Sequence, residues 1–406
     1  MSNQILTISM LTRESLRILE NNLTFAKGVN RKYDDQFAVG GAKIGDTLNI
    51  RKPPRYVGRS GPALSLENHT ETSIPLTLTT QFGVDIVFTS KDLTLSMDDF
   101  SERFLEPAVA TVANKIDSDG LALYQNVFNT VGTPGTTPSS LLTYLQAATK
   151  MDYEATPVDG MRNMVVDPVA QATIVDALKG LFHSATEVEE QYKTGKMGLV
   201  GGFKWSMDQN VFHHTIGTYG GTPLVNGASQ AGSTLITDGW SSGASTLVQG
   251  DVFTIAAVFA VNPQNRRNTG QLRQFVVTST ISDTSGAMSI GIYPPIVGPN
   301  SDGSVTQFQT VTALPADNAA ITVYGASGTN AVANLAYHRD AFTLASADLV
   351  LPGGVDMASR VSSDRVGVSL RMVRAYDINQ DRFPCRIDVL YGYKTIYPEL
   401  ACRVEG

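Results

Sequence analysis

The chain has 406 residues and a mass of 43.5 kDa, enough for two or three domains with a substantial core, so its stability requires neither a structural metal nor a disulfide framework. Only Cys385 and Cys402 are present, which suits a reducing compartment, and 31 Lys plus Arg against 38 Asp plus Glu give a formal charge of −7, which argues against a surface built to coat nucleic acid. No basic segment leads into an apolar stretch with a cleavage site, and no run approaches the roughly 20 apolar residues of a bilayer span, so no membrane partner is expected.

In chain order, Leu11 to Val29 reads as a helix with Leu16, Leu19 and Leu23 at helical spacing, suited equally to a terminal arm or to a core. Thr47 to Ile50 is a short strand, and the Pro53–Pro54 pair after it bars a central sheet position. Thr72 to Leu95 carries two strand-like runs, Ile74 to Thr80 and Val84 to Ser90, parted near Gly83. They predict a projecting hairpin whose apolar residues, Ile86 and Phe88 among them, an isolated ribbon cannot bury. Met97 to Val127 turns helical, with Pro107 fit for a first turn and Val109, Val112, Ala113 and Ile116 on one stripe. This is the longest helix expected. After a loop over Val131 to Ser140, the runs SLLTYLQAATKM, MRNMVVD and VDPVAQATIVDALKGLF give helix, strand and helix, the texture of a mixed α and β domain.

From about Gly221 to Asn334 charge thins out and Gly, Ser, Thr, Ala and Val dominate. Strand candidates recur at Thr234 to Ile236, Val252 to Val261, Leu272 to Ser282, Ala287 to Tyr293 and Ala320 to Val323, which predicts a small closed barrel or sandwich. The connecting loop NPQNRRNTGQ carries Arg266 and Arg267, weak candidates for holding a phosphate or carboxylate; the plainer reading is a solvated Arg pair. Beyond the segment, AYHRDAFTLASADLVLPGG reads as helical or turn-rich, and Val366 to Val404 ends the chain with two strong strands. The whole is an α+β body interrupted by an all-β insertion.

Catalytic chemistry finds no foothold. There is no HExxH zinc helix, no closely spaced cysteine pair and no G-x-S-x-G elbow, and GLVGG at Gly198 to Gly202 lacks the Lys and Ser or Thr of a phosphate loop. His69, His183, His213, His214 and His338 form no ligand array, and His213 and His214 face opposite ways if they lie on a strand. Asp98, Asp99, Glu102 and Glu106 have helical spacing, but acid–base catalysis needs a cleft and unequal environments, so they read as a wet acidic face. No catalytic residue, metal or cofactor is assigned.

The run Cys385-Arg386-Ile387, Tyr391-Gly392 and the Pro398–Glu399 pair, at the end of this order of elements, resembles the major capsid proteins of tailed bacteriophages, in the subfamily with an inserted β domain. The resemblance implies an α+β, Hong Kong 97-type capsid fold. It assigns 1–46 to an N-terminal arm and helix, 47–96 to an extended loop region, 97–220 to the spine helix and peripheral domain, 221–334 to the inserted barrel-like β domain, and 335–406 to the return through peripheral and axial domains. It further implies a non-enzymatic subunit that self-assembles, as hexamers and pentamers, into the icosahedral shell of the virion. Scaffolding protein and portal protein are implied partners in the host bacterial cytoplasm, with a decoration protein as a further candidate. Double-stranded DNA would be enclosed without sequence-specific binding.

Residues 1 to 70 hold ten Lys or Arg and six Asp or Glu, whereas 97 to 120 hold six acids and two bases. Opposite local signs let Arg51, Lys52, Arg55 and Arg59 meet Asp98, Asp99, Glu102 and Glu106 on neighbouring copies, while Ile86 and Phe88 carry the hairpin across a subunit boundary. Two rival readings are a tail or decoration protein and a carbohydrate-binding β module. The second would stack a sugar on Trp240 and Tyr293, though both suit a core or interface better.

Overall fold

The apolar stripe expected near the N-terminus is buried, but on two helices rather than one. In the computed structural model, which describes residues 8–33, 47–58, 61–62, 64, 66–68, 71–89, 106–178, 197–362 and 367–406, helix α1 (Ile8–Asn22) stops before Leu23 and α2 (Phe25–Gly28) follows. The break has a cause in helix α3 (Glu106–Leu121): its buried Asp117 accepts from the backbone N–H of Thr24 and, at 2.9 Å, of Ala26. That carboxylate supplies the acceptors that the first amides of a helix lack. Of the expected helix over Met97 to Val127, residues 97–105 lie outside the described residues; α3 is the longest described helix, and a 3-10 turn over Ala122–Asn126 succeeds it.

These helices belong to the first of two compact units, formed by Met1–Ile50, Ile74–Gly120 and Phe342–Ile396. Its sheet runs in the order β19 (Phe342–Ser346), β22 (Arg382–Thr395), β21 (Ser369–Arg374) and β20 (Met357–Ser362), all antiparallel. Strand β3 (Thr80–Thr89) pairs with β22 along its whole length, Thr80 opposite Tyr391 and Thr89 opposite Arg382. Phe25 of α2 packs against Phe342 and Tyr393, with ring centroids 5.7 and 6.2 Å apart.

This pairing corrects the expected hairpin. The two runs are strands, but they part at Leu78–Thr79 and take different partners: β2 (Thr72–Thr77) pairs with β1 (Thr47–Lys52), and β3 with β22. Gly83 is therefore not a turn. It sits inside β3 opposite Asp388, where a Cβ would come 2.5 Å from the Ile387 carbonyl oxygen and 2.7 Å from the Asp388 Cβ.

The second unit is Arg51–Ser73, Leu121–Ala341 and Tyr397–Gly406. Its mixed sheet has the order β4 (Thr130–Gly132), β23 (Ala401–Glu405), β18 (Asn334–His338), β5 (Arg162–Val166), β7 (Phe203–Met207) and β6 (Leu199–Val200). Helices α4 (Leu141–Tyr153) and α5 (Pro168–Leu178) pack on it through Tyr144, Ala147, Met151, Ala170 and Ile174. Both start where the sequence supplies a cap: the Ser140 hydroxyl accepts from the Leu142 N–H at 3.2 Å, and the Asp167 carboxylate from Val169 N–H at 2.9 Å, with Pro168 in the first turn.

In Ala336 to Ser346, where a helical or turn-rich texture is expected, the end of β18 and all of β19 are strand and only Arg339–Ala341 between them is a 3-10 turn. Every residue of β18 and of β19 is buried, so neither shows the polar–apolar alternation that marks a half-exposed strand. Val366 to Val404 holds three strands, β21, β22 and β23, rather than two.

Within the second unit, β8 (His213–Thr215) and β17 (Asn330–Val332) pair antiparallel and close a neck, Thr215 opposite Asn330. Beyond it lies a six-stranded sheet in the order β16 (Ile321–Val323), β12 (Val252–Val261), β13 (Asn268–Val277), β15 (Met288–Ile296), β10 (Gly232–Trp240) and β9 (Gly221–Val225). A bridge between Leu224 and Ala320 joins the two ends, so the sheet rolls into a small barrel. The short pair β11 (Thr246–Leu247) and β14 (Ile281–Ser282) sits beside it. Inward residues such as Leu235, Phe253, Phe275, Ile290 and Ile292 fill the interior. Trp240 is buried there too, its indole N–H donating to Thr237 Oγ1 at 2.8 Å, so it presents no face to a sugar.

Gly83→Ala is expected to lower the stability of the first unit by about 1–3 kcal/mol, because the contact is with backbone that cannot yield without disturbing the β3–β22 ladder. Thermal unfolding of the unassembled chain measures it; an unchanged midpoint would mean that the two strands do not approach so closely.

Candidate assembly surfaces

Of the basic residues expected to reach neighbouring copies, Arg51, Lys52 and Arg55 have partners within the second unit. Arg51 is 81% exposed at its side chain and lies 3.6 Å from Glu71. The Lys52 ammonium sits 4.8 Å from the centre of the Tyr397 ring, and Arg55 Nη2 donates to Glu399 Oε1 at 3.1 Å. Burial pushes the Lys52 pKa down, and nearby Glu399 offsets part of that fall. Glu399, the last residue of the run that carries the resemblance, thus earns its place as the anion for this basic strand. Of the acidic candidates, Glu106 is exposed in the first turn of α3, where a carboxylate meets the positive end of the helix dipole. Arg59, Asp98, Asp99 and Glu102 lie outside the described residues.

Ile86 is half-buried within β3 opposite Cys385, and the backbone of Phe88 stands opposite Phe383. Cys385 and Cys402 are free and buried, and burial raises the Cys385 thiol to about 11.

Arg266 is engaged by the chain's own backbone. With φ at +57° in the β12–β13 loop, it turns its guanidinium onto backbone carbonyls, of Gln307 at 2.8 Å and of Thr306 and Tyr56 at 3.4 Å. Nearby, Gln307 Nε2 donates to the Asn68 carbonyl at 2.6 Å, and the Glu67 carboxylate accepts from the N–H of Val57 and Gly58 at 2.8 and 2.6 Å. These bonds strap Tyr56 and Asn68 to the loops of the barrel, and Glu67 ties the two ends of this segment together. Arg267 beside it is exposed, as the plainer reading expects. On the strapped segment Leu64 and Leu66 are 78% and 87% exposed, and in the first unit Val350 and Ile378 are each 79% exposed.

The residues that join barrel to body were not singled out from the sequence. Asp251, at the start of the barrel's β12, is buried and accepts from His214 Nε2 at 2.8 Å and from the N–H of Val248 and Gly217 at 2.8 and 3.1 Å. His214 Nδ1 meets the Tyr124 hydroxyl at 3.1 Å; His213 on the same strand is exposed, as the alternation requires. Arg403, on β23 and also buried, donates to the carbonyls of Gly250 at 2.7 Å and Val127 at 3.1 Å and pairs with Glu405 at 3.3 Å. Burial raises the Glu405 pKa against the pull of Arg403. From β13, Gln274 exchanges two 3.0 Å bonds with the backbone of Thr130, and Arg273 pairs with Glu154 at the end of α4. Each of these residues is a common type with no spacing signature, and its partner is far away in sequence.

Two outcomes follow. Asp251→Ala strands two buried amides and the His214 ring, and should cost about 3–5 kcal/mol in denaturant unfolding followed by Trp240 fluorescence; a loss below about 1 kcal/mol would mean that the neck does not depend on it. The amides of Val57 and Gly58 hold the Glu67 pKa below its ordinary value, so their protection from exchange should be full above the ordinary carboxylate range and vanish as pH falls through the depressed value. Protection that persists at pH values where Glu67 is protonated would show that the carboxylate does not hold the strap.

None of the curated proteins compared matches the chain. Among solved structures, the chain is similar to the capsid of Ralstonia phage GP4 (8% identity, TM-score 0.48, covering 94% of this chain and 87% of that one) and to the mature capsid of bacteriophage PhiM1 (10%, 0.47, 94% and 86%). The I-domain of the CUS-3 coat protein is 28% identical over 27% of this chain and 96% of its own, with a TM-score of 0.18. The family model described as "P22 coat protein - gene protein 5" matches residues 2–404. With so little of the sequence outside that match, the chain belongs to the P22 coat protein family: it is a structural, non-enzymatic capsid subunit of α+β, Hong Kong 97-type fold with an inserted β domain.

Proposed function

We propose that this major capsid protein, which self-assembles into an icosahedral shell, does so with scaffolding protein and a portal in the cytoplasm of its bacterial host, first as a rounded precursor that rearranges as double-stranded DNA enters. The observation that carries the reading is the family match over residues 2–404 of a chain whose body is interrupted by a barrel. Hexamers and pentamers are the building units, and a decoration protein is a further candidate partner. The formal charge of −7 suits a container that encloses DNA without gripping its sequence.

In this proposal the functional segments are 1–46, 47–96, 97–220, 221–334 and 335–406, as arm, extended loop region, spine helix with peripheral domain, inserted β domain, and returning peripheral and axial parts. Arg51, the most exposed of the three described basic residues, reaches an acidic neighbour, with Lys52, Arg55 and Arg59 behind it and Asp98, Asp99, Glu102 and Glu106 as the facing acids. Ile86 and Phe88 place β3 at a subunit boundary; its long, sparsely buried edge favours this.

Coexpression with the scaffolding protein, followed by electron microscopy, should give closed shells. Persistent small dimers or tetramers under assembly-permissive conditions would reject the precursor pathway. In the same assay, Arg51→Glu and Ile86→Ser should lower shell yield more than they lower the unfolding midpoint of the unassembled chain; wild-type yield would remove these residues from the contact.

A further inference from the structure

Where the end of α4 meets barrel strands β12 and β13, the second unit has a partly open cavity of about 10 Å³ lined by Asn129, Lys150, Glu154, Gln271, Arg273 and their neighbours. That is room for a single particle about the size of a water molecule. The charges around it do not balance. Glu154 is ion-paired with Arg273 Nη1, and the Arg273 guanidinium is held flat 4.6 Å from the Phe128 ring centre. Lys150, half-buried one turn before Glu154, has no hydrogen bond or ion pair among the described residues. Arg273 is only 4% exposed, yet its Nε–H donates to nothing. The next charges outward, Arg55 and Glu399, neutralise each other. Two cations and one carboxylate therefore share this partly open site, with one positive charge and one buried donor left over among the described residues.

We infer that this cavity binds one monatomic anion, chloride in ordinary buffers, between the Lys150 ammonium and the Arg273 Nε–H. Room for one water-sized particle favours a monatomic anion over phosphate, sulfate or a carboxylate. A water molecule would accept the Nε–H bond but leave the half-buried Lys150 ammonium without a counter-ion. Burial already pushes the Lys150 pKa down, as expected of an ammonium whose counter-ion has not been counted. Glu154 also faces the cavity and repels an anion, but its bond to Arg273 and the burial that raises its pKa both weaken that repulsion.

The full-length, unassembled chain tests this through ³⁵Cl relaxation. Native protein should broaden the chloride line saturably, with bromide displacing the effect. Lys150→Met, which keeps the apolar stem and removes the charge, should abolish it; Lys204→Gln, which removes an equal charge at an exposed position, should not. Thermal unfolding supplies a second reading. Replacing glutamate by chloride at fixed ionic strength should favour the native chain over Lys150→Met by about 1–2 °C when chloride is roughly fivefold above its dissociation constant. Saturable broadening that survives in Lys150→Met overturns the assignment. So does its absence from the native chain, which decides the matter even if the variant fails to fold, and which would leave water as the occupant.

Discussion

A barrel inserted into a body can be held in register only if the bonds at its neck are satisfied away from water, and Asp251 and Arg403 meet that requirement together. Asp251 collects the N–H groups of Val248 and Gly217 and the His214 ring, while Arg403 spends its guanidinium on the carbonyls of Gly250 and Val127. Gly250 precedes Asp251, so the turn at Val248 to Asp251 has its Val248 N–H held by Asp251 and its Gly250 carbonyl by Arg403. Burying such charges is expensive, and the return is geometric: a wrong register would leave several polar groups unpaired in a dry interior. The remaining links, Gln274 to Thr130 and Arg273 to Glu154, fall into place once this turn is fixed.

How much of this was legible depends on whether the signal was local. The barrel strands were readable because each carries its own β-branched run and turn; Val252 to Val261 is matched to the residue by β12. Leu272 to Ser282 was less well bounded, because β13 starts in the polar run Asn268 to Gln271 and ends at Val277. Polar residues enter a strand when its partner holds them, and Leu272 pairs with Phe259 across an irregular register. Where burial is two-sided, as in β18 and β19, the alternation that identifies a strand disappears.

The charged residues were legible as to type and not as to partner. A basic strand and an acidic segment are plain in the sequence, whereas the carboxylates that Arg55 and Arg51 meet within one copy, Glu399 and Glu71, are not. Coulomb attraction has no sequence range, and nothing in a run of basic residues says which distant carboxylate the fold will bring near. The expected hairpin fell to the same limit. Its strands were correct, but pairing is a tertiary choice, and β22, fourteen residues long, offers β3 a longer ladder than β2 does.

The order of the elements carries a last consequence. Strands β4 and β5 precede the insertion, and their partners β23 and β18 follow it. Pairing them in an unfolded chain would close a loop holding the whole barrel sequence, at a conformational cost that grows with loop length. The barrel's own contacts are shorter in range: β12 pairs with β13, and β10 with β9, through brief connections. Once the barrel is formed, β8 and β17 lie side by side at its neck, and the strand that follows β17 directly is β18. The long closure then reduces to a short one. The neck that Asp251 and Arg403 secure is thus also what brings the late strands of the body to the early ones, and the body's sheet is complete only when the insertion is.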